Sequence, residues 1–487
     1  LHSTSRRQRQ MCIRDSTNAV IIYTGNMEKT IVKMIKNFTR EKYETVMCIV
    51  AGMTGVVLPL KLVTALCFQY WNELIWVQLL QLCGIACLLC MILYLAHVYM
   101  EAPKAFTYKI KNYLYRHKWL IFFGLFIVWM FLSFLANKRY SDYQGLSAAL
   151  YGIPSRNEGI LLRTLEFVMA AGLLAVSDGR KKRRVLNLLL AASLLLAVPV
   201  LAQSNDGLAD ILGLSGNEAF RYMAEEGRYA SVLNYFNHYG YYLCTMIVLS
   251  GSMLMLAETA GGVCFSLFVY VINIITLNIN NTFGGWLAAG ISLIVLLFIM
   301  TGRFHGYKSR QAIYPYFKLF AAVILFFLIS GAMEKNGEGK FSQTREFFFD
   351  LGEVARDSES DEAKAAGTGR WKLWVECAGF IMEKPVFGWC EDGIADRYSE
   401  AGFVQDRPAN EYLEYAAFYG IPGAAFYLAA VFWIAADRLC KVRKLTPETL
   451  ICAAAAMGYL ISACFGNTTN YVTMHFFVLL GFAMGDS

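Results

Sequence analysis

The sequence predicts an all-α integral membrane protein of about 12 transmembrane helices, with a large extracytoplasmic loop between spans nine and ten. Three observations predict it. Apolar residues make up 57% of the 487-residue chain and charged residues only 17%, against about a quarter charged in soluble domains, and the mean hydropathy is +0.42. Apolar runs near the ~20 residues that a bilayer demands recur along the chain. The basic residues gather in connections that fall on one side when the spans alternate. The net charge of +7 therefore reads as membrane orientation, and nothing in it points to nucleic acid.

Residues 1–26 are set apart as a non-native or disordered tail. Leu1–Ser16 carries no apolar run and resembles translated adapter read-through, and Met27 reads as the native start. Residues 27–333 hold spans one to nine, at about 45–67, 75–99, 119–136, 160–177, 185–202, 234–256, 261–279, 284–301 and 313–333. Residues 334–411 form the loop, and 412–487 hold spans ten to twelve, at about 412–436, 447–465 and 471–485. Span one carries Lys61 near its far end, where a lysine is expected to snorkel to the interface. Glu166 in span four is the main charge at mid-span depth.

Basic clusters precede span one (Lys29 to Lys42), follow span two (Lys104 to Lys118), follow span four (Arg180 to Arg184), follow span eight (Arg303 to Arg310) and follow span ten (Arg438 to Lys444). The positive-inside rule makes that side cytoplasmic, with both termini inside. No Walker-type loop or Gly-rich dinucleotide fingerprint appears there, which argues against ATP-driven transport by this chain. Most of the 13 cysteines lie in apolar runs, where cysteine behaves as a small hydrophobe, and their spacing gives no metal site. Cys377 and Cys390 share the large loop, where a disulfide is one option.

The opposite side holds the longer connections, 137–159, 203–233 and 334–411, so a site is expected there. In the first, Arg156 and Glu158 stand at the mouth of span four, either as a self-paired interfacial cap or as site residues. In the second, Arg221, Glu225, Glu226 and Arg228 lead into Asn237 and His238 at the start of span six. Asn278–Trp286 joins spans seven and eight, and Gly284 and Gly285 there permit close helix approach. In the large loop, Trp371, Trp374, Val375, Ala378, Ile381 and Met382 recur at helical spacing and predict an interfacial amphipathic helix. Pro385 stops it, and disorder is confined to the loop's middle. Arg is the side chain best shaped to grip phosphate, and Arg156, Arg228, Arg370 and Arg407 all fall on this side.

Taken in order, GIPSRNEG ahead of span four, the Asn-His entry to span six, NNTFGGWLA at span eight, RWKLWVECAGFIMEKPVFGWCEDG and DRPANEYLEYAAFYGIPG resemble the O-antigen ligase and polymerase family. The resemblance implies a GT-C-like multi-pass glycosyltransferase of surface polysaccharide or cell-envelope assembly, working at the outer face of the bacterial cytoplasmic membrane. It implies an undecaprenyl-diphosphate-linked glycan as donor, a glycan or lipid acceptor, contact with membrane lipids, and no metal or other cofactor. In the family's pattern a histidine precedes the asparagine of the last motif, where this chain has Ala409. An arginine also often opens the span-eight motif, where this chain has Thr282 and Phe283.

The resulting expectation is an inverting transfer in which Arg156, Arg228, Arg370 and Arg407 hold the donor diphosphate. Asn237 and Asn410 orient substrate. Glu411, Glu414 or His238 takes the acceptor proton, with His475 a further histidine near a span end. The alternatives are a membrane transporter of a lipid-linked or amphipathic solute, and a catalytically inactive envelope-assembly scaffold.

Overall fold

The computed structural model describes residues 30–69, 72–137, 150–152, 156–225, 228–233, 235–304, 310–334, 339–358, 360–367 and 369–485. The N-terminal tail, most of the connection after span three, Glu226 and Ile153–Ser155 lie outside the described residues. The chain runs α1 Arg40–Phe68, α2 Glu73–Glu101, α3 Pro103–Arg116, α4 Trp119–Asn137, α5 Ile160–Leu173, α6 Gly179–Gln203, α7 Asp206–Ile211 and α8 Glu218–Tyr222. A two-residue hairpin, β1 Ala224–Glu225 with β2 Arg228–Tyr229, follows. Next come α9 Phe236–Leu256, α10 Ala260–Asn280, α11 Phe283–Phe304, α12 Arg310–Ala332, α13 Lys340–Arg356, α14 Asp361–Ala365, α15 Arg370–Glu383 and α16 Cys390–Glu400. The chain closes with α17 Glu411–Cys440, α18 Pro447–Ser462 and α19 Asn470–Met484.

Each of the twelve expected spans is a helix. Among the described residues, nine are long and apolar enough to cross a membrane. The other three, α5, α18 and α19, are shorter, with 14, 16 and 15 residues. Every residue of α19 is buried, so protein rather than lipid surrounds it and it is freed from the full bilayer length. α9 is the central post, packed by α10, α11, α12 and α18. Close approach there depends on Gly285, one of the two glycines foreseen in the sequence: a Cβ on it would stand 2.7 Å from the Gly240 carbonyl oxygen.

Lys61 does not snorkel. It is 1% exposed and lies 2.5 Å from Glu73 of α2, because a charge carried that far into the bundle needs a counter-charge rather than an exit. At the other end, part of the basic cluster serves the fold. Lys182 donates to the carbonyls of Phe482 and Gly485 and Arg438 to that of Ala483, which satisfies the open C-terminus of α19.

The large loop is mostly helical, with α13 and α14 occupying the described part of its expected disordered middle. α15 forms as expected, but a different stripe is buried. Leu373, Cys377, Phe380 and Ile381 face inward against α17, whereas Val375 and Met382 are exposed. The Cys377–Cys390 disulfide does not form: the two cysteines are not bonded to one another, and Cys377 is buried.

Two sequence motifs meet at a break in α17. Pro422 has no N–H to give the helix ladder, and Gly420 leaves helical geometry with φ 73° and ψ 174°. The carbonyls released there are all used. Ala417 accepts from the Trp389 N–H at 2.9 Å, Phe418 from the Ser133 hydroxyl at 3.2 Å and Tyr419 from the Trp129 indole at 2.9 Å. In return the Ile421 N–H donates to Pro385 at 2.8 Å. The Pro-x-x-Gly turn thus docks into the kink of Tyr-Gly-Ile-Pro-Gly and fixes α16 to α17. A Cβ on Gly420 would lie 2.1 Å from the Val386 oxygen. Gly420→Ala is therefore expected to cost at least the ~1–3 kcal/mol of a left-handed non-glycine residue plus the clash. Thermal unfolding in detergent checks this, and an unchanged midpoint would contradict the docking.

Candidate functional site

The buried end of the bundle that carries the long connections holds an ionic network. Glu158, Arg163, Glu166, Arg407 and Glu414 are each at most 5% exposed. Arg407 Nη1 lies 3.0 Å from both Glu158 and Glu414. Arg163 reaches Glu158 at 3.0 Å and Glu166 at 3.3 Å. Thr468 closes the set: its hydroxyl donates to Glu414 at 2.8 Å and accepts from Arg163 at 2.6 Å, and its N–H donates to Glu414 at 3.1 Å. Burial works against ionised Glu158, but Arg407, Arg163 and Arg156 hold its carboxyl below the usual carboxylate range.

Glu158 therefore pairs with Arg163 and Arg407 instead of Arg156. Arg156 pairs with Asp406, which is half exposed, and its carbonyl accepts from Asn470 at 2.6 Å. Burial, and then the charge of Arg407, pull the Arg156 guanidinium down to about 10.

The other residues of the last motif are also engaged. Asn410 caps α17, with Oδ1 accepting from the N–H groups of Tyr412 and Leu413 and Nδ2 donating to Cys464. Glu411 is buried, and its two oxygens accept from Tyr427 at 2.6 Å and Tyr459 at 2.5 Å. Ala409 is in the left-handed region at φ 52° and brings no polar group. Half-buried Glu391, absent from the residues singled out in the sequence, accepts from Tyr419 at 3.2 Å. Burial, then the Glu158 charge, push its carboxyl up to about 7.

A second group of cations surrounds the α10–α11 turn, Asn280–Gly284. Arg370 donates to the Phe465 carbonyl at 3.0 Å, and its Nη1 stands 3.3 Å from where a Gly284 Cβ would be. Arg228 is exposed and lies 4.7 Å over the Phe236 ring, whose carbonyl accepts from Asn280 and Thr282. Lys340 donates to Asn281 at 2.6 Å. Among the described residues no carboxylate lies within ion-pair distance of these three. His238, half-buried beside Tyr235, is close enough to feel Arg407, Glu158 and Arg156, so it stands between the two groups. A small cavity lined by Tyr241, Glu411, Tyr459, Ser462, Asn467 and Thr469 lies beside Glu411.

The structure thus gathers Arg156, Arg407, Glu411, Glu414, Asn410 and His238 at one end of the bundle, and places Arg228 and Arg370 at the neighbouring turn. Asn237 is half-buried in the first turn of α9. His475 is instead walled in against Tyr242 and away from solvent. Arg163, Thr468, Glu391 and Lys340 escaped the sequence reading. Only Arg163 carried a signal, as a charge three residues from Glu166 inside an apolar run.

The O-antigen ligase family model matches residues 268–428. That stretch runs from α10 through the first half of α17 and includes the α10–α11 turn, Lys340, Arg370, Arg407 and Asn410. The match supports an O-antigen ligase-like family and a role in surface polysaccharide assembly. No curated protein matches the chain.

Removing one member of the buried network leaves its partners as uncompensated charges. Arg407→Ala is expected to destabilise the protein by about 3–5 kcal/mol, read as a fall in the detergent unfolding midpoint. A variant as stable as the parent would show that the network is not a structural tie.

Proposed function

We propose that this chain transfers a glycan from a polyprenyl-diphosphate carrier to an acceptor hydroxyl, on the face of the membrane away from the cytoplasm. The observation that carries the reading is Arg228 and Arg370, two guanidiniums beside one turn with no acidic partner among the described residues. A saturated ion pair such as Arg407–Glu158 has little left to offer a ligand, whereas an arginine without a counter-charge presents its donors to one. The family match and the basic loops at the opposite end support the substrate class and the orientation.

The reaction follows from that arrangement. The acceptor oxygen bonds to the anomeric carbon as the carbon–phosphate oxygen bond breaks, and the lipid diphosphate leaves with the electron pair. Arg228 and Arg370 stabilise the charge that develops there. The buried network carries Arg407, Asn410 and Glu414 as scaffold, and Arg156, bound to half-exposed Asp406, lies at its rim. The acceptor's proton goes to a base. Glu411 and Glu414 have both oxygens committed, while half-buried His238 lies between the clamp and the network and stands nearest the role that Ala409 leaves empty.

Arg370→Ala and Arg228→Ala are expected to lower glycan transfer by about 100-fold or more each without lowering the unfolding midpoint. The assay is release of undecaprenyl diphosphate in membranes of a host that lacks the chromosomal copy. Full activity in both variants would sink the clamp.

A further inference from the structure

We propose that Lys340 is a third diphosphate-binding residue, contributed by the large loop and facing the same anion as Arg228. This rests on the glycan-transfer reading above and names one more residue of its donor site.

The charge on Lys340 is unbalanced. Lys340 opens α13 and is 4% exposed, a depth that lysine reaches almost only when paired. Among the described residues no carboxylate pairs with its ammonium. It donates to the amide oxygens of Asn281 at 2.6 Å and Gln343 at 3.2 Å, which satisfy two of its three hydrogens and cancel none of its charge. The charge that acts on it is another cation, Arg228. Glu334 at the end of α12 is turned to the backbone, accepting from the Ser342 N–H at 3.3 Å, and the α10–α11 turn supplies only Asn281 and Thr282. A buried ammonium facing a like charge, without a counter-ion among the described residues, costs stability. An anion between them removes that cost.

Position points to the kind of anion. Asn281 belongs to the turn whose other end, Gly284, meets Arg370, so the three cations border one short segment. An anion with several oxygens spread along its length matches three donors around one turn, and a diphosphate has that form. Phe341, the next residue, packs on Trp286 at 5.7 Å and Phe327 at 6.4 Å, which sets Lys340 directly above the apolar helices α11 and α12. A lipid-borne diphosphate would lie at that level. Burial, then Arg228, pull the Lys340 ammonium down to about 8. The charge is therefore present below that pH and lost as pH rises through it, and affinity for an anion falls with it.

The experiment uses the full-length protein in phosphatidylcholine nanodiscs with undecaprenyl diphosphate as probe, comparing the parent with Lys340→Met, Lys340→Arg and Arg370→Ala. Lys340→Met is expected to weaken binding by about tenfold or more while melting no lower than the parent without ligand. Lys340→Arg is expected to bind within a few-fold of the parent at pH 7 and to lose the parent's weakening between about pH 7.5 and 9. Inorganic pyrophosphate should compete, and phosphatidylglycerol should not. Unchanged binding by Lys340→Met, with binding lost in Arg370→Ala, overturns the role of Lys340 and leaves the glycan-transfer reading standing. A lower melting point in Lys340→Met without ligand marks the lysine as structural and also overturns it. Equal competition by phosphatidylglycerol assigns the site to bulk lipid and overturns the donor assignment. If the parent itself fails to bind the probe, the glycan-transfer reading fails with it.

Discussion

The contact of Arg407 with Glu158 and Glu414 is the constraint on which this end of the molecule depends. It joins three stretches far apart in sequence: the entry to α5, the end of the large loop, and, through Thr468, the connection between α18 and α19. None of these charges could be buried alone, because each would carry several kcal/mol of desolvation cost. Together they satisfy one another, and in doing so they fix the register of α5, α17 and α19. The network holds Asn410 at the head of α17 and holds the 465–468 segment against Arg370. In the proposed reaction it is scaffold, and the ligand-facing charge belongs to Arg228, Arg370 and Lys340.

The break in α17 does similar work through backbone groups. A proline and a glycine remove ladder hydrogen bonds, and the freed carbonyls are taken up by Trp389, Ser133 and Trp129. The large loop is thereby bolted to α4 and α17 by directional bonds in a region where apolar packing alone would permit sliding. The recurrence of Pro-x-x-Gly and Tyr-Gly-Ile-Pro-Gly in one sequence has a physical explanation: each motif completes the other. α15 and α16 gain fixed positions from it, and with them Arg370 and Glu391.

Much of the fold was legible in the sequence because the bilayer imposes length and polarity on every span. Even the short helices α18 and α19 were visible as apolar runs. The site was legible in outline, since arginines near span mouths and a histidine at a helix entry stand out against an apolar background. Pairing was not legible. Whether Glu158 meets Arg156 or Arg407 depends on which helices are neighbours, and no local spacing encodes that. Lys61 was misread for the same reason, since its partner Glu73 lies on another helix. In α15 the helical period was visible but the buried stripe was not, because Leu373 and Phe380 face inward only once α17 is in place. Lys340 carried no local signal, and the role proposed for it comes from the company of Arg228 and Asn281.

The account reduces to one claim, that the donor's diphosphate lies at the α10–α11 turn beside Arg228 and Arg370. Cryo-electron microscopy of the full-length protein in nanodiscs with bound undecaprenyl diphosphate tests it most directly. Diphosphate density contacting both guanidiniums beside Asn281–Gly284, with the Arg407–Glu158–Glu414 ion pairs intact, is the predicted result. Diphosphate seated on Arg407 with those ion pairs broken, or at the opposite end of the bundle among Arg180–Arg184, would contradict it.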